Sequence, residues 1–468
     1  KYVVYASGSQ ALKRFINKYK SGKTLNKRPD YQSITENISN KANIFLYINM
    51  SKSVNLSKAI ENNPGNSIAS FIANTNFQNL ALEFNTSDET FYNTGYITFN
   101  QGDNTKHDFE AIWETKLDTT VQTKPFVFIS NNSNNREIAV QDVSNNLYLL
   151  DNEGTILWKK NIKEKIIGDI NEIDYYKNEK YQFLFNTANY IHLIDRNGNE
   201  VEGYPIRLNA SSSNPLLVVD YKNDKSYRIL VACNNRKIYN YTKEGKLNKG
   251  WKYTYHENPI SGQFQYFNFD DKDCIFITDN KGKVIVLDSK GNIRSNPGNK
   301  IVKSYKTKFF IDVLPGRNKT RIVTIDSSGT IYSIYPDWRI QKDKITGLNQ
   351  SPYFYFKDIN NDENREFIFI SNKQVKAFDQ SKKQIFSLNI NFTSTYEPDY
   401  YLLRDNIGKI GLVNTEDKEI YLINNKGKID EGFPLRGSTP FVIEDLNNND
   451  IPDLIVGSDS KVIVYELQ

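Results

Sequence analysis

The segment DLNNNDIPDLIVG, Asp445 to Gly457, places oxygen-bearing side chains at Asp445, Asn447, Asn449 and Asp453, positions 1, 3, 5 and 9 of a loop entering an apolar strand. Calcium takes about six to eight hard oxygens, and side chains at alternate positions of a tight loop can wrap it. The loop adds backbone carbonyls and water to its two carboxylates. Asp450 stands where such loops usually carry Gly, a place an Asp can fill at positive φ. A second copy, DINNDENRE, offers Asp358, Asn360, Asp362 and Glu366 at the same spacing with one more carboxylate. The chemistry on offer is a structural calcium ion in either loop, held by the four residues of that loop. The competing reading is an Asx-type turn, in which the same side chains accept local backbone amides. The loops 220–228 and 312–321 favour that second reading, because they put Arg228 and Arg321 where the last acid would stand.

Other chemistry is thinly represented. His107, His192 and His256 have no evident partners in the sequence, and His256, within YHENP, reads as a surface loop residue. Cys233 and Cys274 stand one repeat apart and read as buried free thiols, with no CxxC or Cys/His cluster. There is no G-x-S-x-G, no Gly-rich phosphate loop and no HExxH. Acids are plentiful, but no spacing marks out a catalytic pair. The net charge is only +5, from 60 basic and 55 acidic residues interleaved along the chain. A nucleic-acid partner would ask for a basic stripe instead, so none is expected. No apolar run reaches about 18 residues, so no transmembrane helix is expected within the chain.

The elements that carry these loops repeat. LYLLDNEGTILWKKNI begins at Leu147, and counterparts begin at Ile191, Lys237, Lys283, Thr330, Gln374, Glu419 and Lys461, 42 to 47 residues apart. Each is an alternating strand, a polar turn and usually a second strand. Upstream of each stands another strand, such as REIAV, YRILVAC or DLIVG, and in several a further one, such as PFVFIS or PFVIED. Four strands in about 45 residues is the signature of a propeller blade, and the runs lack the 3.6-residue period of a helical solenoid. The last copy ends without its fourth strand, and FEAIWETKL (Phe109–Leu117) resembles the fourth strand of the first full blade. The expected architecture is therefore an eight-bladed β-propeller over 106–468, closed by strand 109–117 completing the last blade, with seven blades as the alternative count.

These hairpins resemble the blades of quinoprotein-dehydrogenase-like propellers. The DxNxNxxxDL loop and the turns Gly203–Pro205 and Gly432–Pro434 resemble FG-GAP or VCBS-type repeats. The resemblance covers about three quarters of the chain, and it implies fold rather than function, because propellers host many activities. A quinone-dependent dehydrogenase would bring adjacent cysteines and a Trp floor under the cofactor. This chain has no adjacent cysteines, so that activity is rejected. Residues 1–105 break the period and read as a small α+β domain. It has a helix over SQALKRFINKYKSGK, a short helix after Pro29–Asp30, a strand at Ala42–Asn49, helices near Leu56–Ile60 and Ile68–Ile72, and a closing hairpin. That region resembles an uncharacterised domain of Bacteroidetes-type envelope proteins, several of which carry an N-terminal membrane anchor. With Tyr2–Ala6 reading as a strand, an upstream piece, and with it an anchor, is expected. The expected function is a non-enzymatic binding or scaffold protein of the extracytoplasmic cell envelope or periplasm, holding a protein or glycan partner. Calcium would be its one cofactor. The alternative is a carbohydrate-active propeller, a polysaccharide lyase or glycan-binding module, with Trp251, Tyr253 and Tyr255 exposed in a groove.

Overall fold

The computed structural model describes residues 9–20, 31, 34, 43–49, 77–87 and 90–99, then 109 and 111–467 apart from short stretches at 132–134, 213, 296–300, 305, 314–319, 346, 349–351, 372, 395 and 404–405. Two compact units divide the chain, Lys1–Thr105 and Lys106–Gln468.

In the first unit, α1 (Ser9–Lys20) carries Leu12, Phe15, Ile16 and Tyr19 on one stripe, all exposed. Strands β1 (Ile44–Asn49), β2 (Phe77–Ser87) and β3 (Thr90–Phe99) form an antiparallel sheet in that order. Tyr31 and Ile34 are helical, and Ile34 is fully buried. Ile38, the strand expected at Tyr2–Ala6 and the helices expected near 56–60 and 68–72 lie outside the described residues.

The second unit is built of antiparallel sheets, eight among the described residues, named I to VIII in chain order by their first strands. Sheet I starts at Phe126–Ile129, II at Ile167–Ile173, III at Leu217–Val219 and IV at Gln265–Phe269. Sheet V starts at Phe310–Asp312, VI at Tyr353–Lys357, VII at Asp399–Leu402 and VIII at Val442–Glu444. Seven contain four strands, and sheet III contains three. After Ile238–Thr242 its chain touches the sheet only through isolated bridges, Tyr241 to Leu247 and Lys237 to Tyr255. Between them the backbone turns at Asn248–Trp251, which removes the ladder a fourth strand needs.

The pattern of burial follows from sheets stacked face to face. Second and third strands have neighbours on both faces and read as continuous apolar runs; Asn146–Leu150 and Asp453–Ser458 are buried throughout. Fourth strands lie at the outside, and Ile156–Asn161 is largely exposed. Apolar layers join each sheet to the next: Phe128 and Phe183 between I and II, Leu193 and Val231 between II and III, and Phe276 and Tyr332 between IV and V. One more layer joins VIII back to I through Val462, Ile455, Tyr148 and Val140. Sheet VIII takes its fourth strand from far upstream: β4 (Ala111–Lys116) pairs antiparallel with Lys461–Glu466, Trp113 opposite Val464.

Candidate functional site

In an antiparallel meander, loops joining first to second and third to fourth strands emerge at one end of the sheet. That end carries the acidic loops. In sheets II, III, VI and VIII the first-to-second loop begins at Asp174, Asp220, Asp358 and Asp445. Residues three and five positions later adopt positive φ in all four: Lys177 and Glu179, Asn223 and Lys225, Asn361 and Glu363, Asn448 and Asp450. The amides four and five positions later donate to the Asp carboxylate. Distances are 2.9 and 2.9 Å for Asp174, 3.2 and 2.7 Å for Asp220, 3.3 and 2.8 Å for Asp358, and 3.1 and 2.9 Å for Asp445. Eight positions on, a side chain reaches back to the amide that follows the Asp. Gln182 Oε1 accepts Tyr175 N at 2.9 Å, Glu366 Oε2 accepts Ile359 N at 2.8 Å, and Asp453 Oδ2 accepts Leu446 N at 3.0 Å. Arg228 differs, donating to the carbonyls of Ser226 and Tyr227.

One backbone geometry thus serves four loops, with a neutral Gln, an acid or an Arg in the last place. The acids act first as caps of backbone amides. In sheet II a cation is supplied by the protein: Lys225 Nζ donates to Asp174 Oδ2 at 2.5 Å. Burial alone would raise the Asp174 carboxyl, but Lys225 and the amides of Glu179 and Asn178 hold it below the usual carboxylate range. Sheet V balances Asp312 with Arg321 Nε at 3.0 Å. Sheet VI has no such partner on Glu366, and burial, with Asp362 and Asp358 adding repulsion, pushes its carboxyl up to about 7.

The two calcium-pattern loops differ as donor sets. In the Asp445 loop, Asn447 Oδ1 is buried with no hydrogen-bond partner, a spare acceptor that suits a hard cation. In the Asp358 loop, Asn360 Oδ1 accepts Asp362 N at 3.2 Å and its Nδ2 donates to Asp362 Oδ2 at 3.1 Å, so oxygens of two of the four expected ligands already have partners. Among the described residues no three His, Cys, Asp or Glu side chains converge on a metal-sized space.

The histidines depart from expectation. His256 is 4 % exposed rather than at the surface. Its Nδ1 meets Tyr253 Oη at 2.8 Å and its Nε2 meets Asp279 Oδ2 at 3.3 Å, where Asn258 Nδ2 also donates at 2.8 Å. The partner lies 23 residues away on another turn, so no local pattern reveals it. His192 is buried against Phe185, with Nδ1 3.1 Å from Glu200 Oε1. His107 lies outside the described residues. Cys233 and Cys274 are free and buried, and burial pushes both thiols up to about 11. Lys303, unnoticed in the sequence, is 6 % exposed and donates to the carbonyls of Ser304 and Thr307. Burial brings its ammonium down to about 7.

Trp251 is also a correction: it is 7 % exposed and cannot serve a groove. The reason is a latch between sheets. An outer side chain of one sheet lies on the turn glycine of the next, so that a Cβ on that glycine would sit far too close. Trp113 meets Gly154, Trp158 meets Gly198, Trp251 meets Gly291 and Phe386 meets Gly427, at 2.7, 3.0, 3.0 and 2.4 Å from such a Cβ. Trp113 and Trp158 also donate Nε1 to the carbonyls of Asn152 and Arg196 on the turns they cover. Sheet V breaks the pattern. Its equivalent turn residue is Trp338 itself, at φ 64°, its amide donating to Tyr335 O at 2.8 Å as Gly154 does to Asp151 O at 3.1 Å.

Comparison with known proteins bears on fold. A family profile described as a protein of unknown function, DUF3352, matches residues 1–147, the first unit and the chain as far as the third strand of sheet I. A search of curated proteins finds no match. Among solved structures, BamB from Moraxella catarrhalis is similar at 15 % identity and TM-score 0.50, over 76 % of this chain and 99 % of that one. A quinohemoprotein alcohol dehydrogenase, ADHIIG of Pseudomonas putida HK5, is similar at 9 % identity and TM-score 0.53, over 80 % and 78 %. The second unit has a β-propeller fold.

Proposed function

We propose that this chain is a non-enzymatic binding or scaffold protein of the bacterial cell envelope, and that sheets I to VIII are the blades of one closed eight-bladed ring whose rims hold a protein or glycan partner. The observation that carries this reading is the employment of the loop acids. Asp174, Asp220, Asp358 and Asp445 all accept amides of their own loops, in one geometry that a neutral Gln182 completes as readily as an acid and that persists where Arg228 stands in the last place without accepting the amide. Such loops build a stiff rim on a rigid scaffold, the usual setting of a recognition surface. The layer joining VIII to I supports ring closure. The envelope setting rests on the resemblance of the first unit to envelope domains. A calcium ion would enter at the Asp445 loop, through Asn447 Oδ1, and its part would be structural.

The test places photo-cross-linking residues on the acidic-loop rim and on the opposite rim, with the full chain in its native envelope. A discrete adduct from one rim and not the other is expected. Adducts from neither rim, or turnover of envelope polysaccharides or of an alcohol with a quinone acceptor by the purified chain, would overturn the proposal.

A further inference from the structure

Sheet IV has a short connection at the end that carries the acidic loops. Its first and second strands are joined by only Asp270 and Asp271, both at positive φ, a two-residue turn in place of the longer capped loops. Beside it sheet V presents Trp338. Between the two lies a cleft of roughly 170 Å³, lined among others by Phe269, Trp338, Cys274, Lys272, Arg294 and Asp270. The Trp338 ring stands edge-on to Phe269, centroids 6.1 Å apart at 67°, and is only half-buried. A Trp in the left-handed region is strained where a glycine would not be.

Arg294 occupies the stretch of outer strand where other sheets place the latch aromatic. Its Nε donates to Asp273 O at 2.7 Å, and among the described residues neither Nη group has a hydrogen bond. Lys272 is exposed, and its ammonium meets the Asp270 carboxylate at 3.4 Å. Among the side chains lining the cleft, two cations, Lys272 and Arg294, stand against one carboxylate, Asp270. An aromatic wall, an oriented guanidinium and a lone carboxylate call for a small ring with an apolar face, an anionic group and hydroxyls.

We propose that this cleft binds an acidic sugar residue of a polysaccharide. The C–H face of the pyranose packs on Trp338, its carboxylate takes the Arg294 Nη groups and Lys272, and a hydroxyl donates to Asp270. The cleft volume is on the scale of a single pyranose. This proposal rests on the binding reading above and names its ligand class.

The experiment titrates the full chain with trigalacturonate and with the neutral trisaccharide galactotriose at low salt, by calorimetry. Trigalacturonate is expected to bind at least tenfold tighter than galactotriose, and more weakly as salt rises. Arg294→Gln, at an exposed position, is expected to weaken trigalacturonate at least tenfold with an unchanged melting curve. Trp338→Gly, which suits the φ of that turn, is expected to abolish binding while the chain stays folded. Equal affinity for the two sugars, no binding of trigalacturonate, or full affinity in Arg294→Gln would each overturn the proposal. Tight binding of a peptide ending in an aromatic residue with a free carboxylate, in place of the sugar, would replace the ligand class and leave the binding reading intact. The cross-linking test decides that broader reading separately.

Discussion

Glu366 and Gln182 perform one task in two sheets, accepting the amide that follows the loop Asp, and only one of them carries a titrating proton. The Glu366 carboxyl, raised from 4.5 to about 7, binds its proton more tightly in the folded chain. Its stabilising effect is therefore complete below pH 4.5 and is lost as pH rises through about 7. Glu366→Gln should keep the amide contact, remove this loss, and stabilise the chain above pH 7 by roughly 2–3 kcal/mol. Urea unfolding at pH 5 and pH 8 checks this; a mutant less stable than wild type at pH 8 would refute it. Lys303 works in the opposite sense. Its pKa is lowered from 10.5 to about 7, so the unfolded chain binds the proton more tightly and stability grows as pH climbs from about 7 toward 10.5. Lys303→Met should flatten that rise. Wild-type stability should then show a shallow minimum near neutrality, visible in melting temperature against pH. Glu366 stood out in the sequence only as a calcium donor and Lys303 not at all; neither shift was legible, because its main cause is burial rather than local residue type.

The unit that repeats is less the strand than the joint between sheets. At Gly198, a Cβ would meet Trp158 at 3.0 Å on a backbone of φ 84°. Gly198→Ala should therefore cost about 2 kcal/mol or more, and pairing it with Trp158→Phe should recover little, because the φ strain remains. Chemical denaturation of the single and double variants measures both. The acidic loops give a second expectation at this scale. If the Asp445 loop takes calcium, a tenfold excess over Kd should stabilise the chain by about 1.4 kcal/mol, and Asn447→Ala should erase the gain. A calorimetric melt with calcium and with chelator reads this directly, and identical curves would remove the ion. The strands themselves were legible: REIAV, YRILVAC and DLIVG are second strands of sheets I, III and VIII. They could be read because strands buried on both faces must be continuously apolar. The joints were not. Trp251 looked free because the glycine that receives it, Gly291, lies 40 residues on. His256 looked superficial because Asp279 belongs to another turn. The short ladder of sheet III was hidden because the repeat in the sequence continues through it.

For the molecule as a whole, the decisive contact is the one between β4 and the last strand of sheet VIII. Lys461 Nζ lies 2.6 Å from Glu114 Oε2, a pair 347 positions apart, and Trp113 covers the turn of sheet I from the same strand. Trp113→Ala should cost about 3 kcal/mol, much as Trp158→Ala should, since both remove a half-buried aromatic and one hydrogen bond. Only the first, however, loosens the strand that shields the edge of sheet VIII, so only it should promote self-association, as sedimentation would show. An equal tendency in both variants would argue against this distinction. The same contact sets a timetable for biosynthesis. At about 5–20 residues per second, the ribosome needs roughly 20–70 s to travel from Glu114 to its mate. Throughout that interval β4 has no ladder to join, and sheets already formed present an unsealed margin to the cytosol, to chaperones or to an export channel.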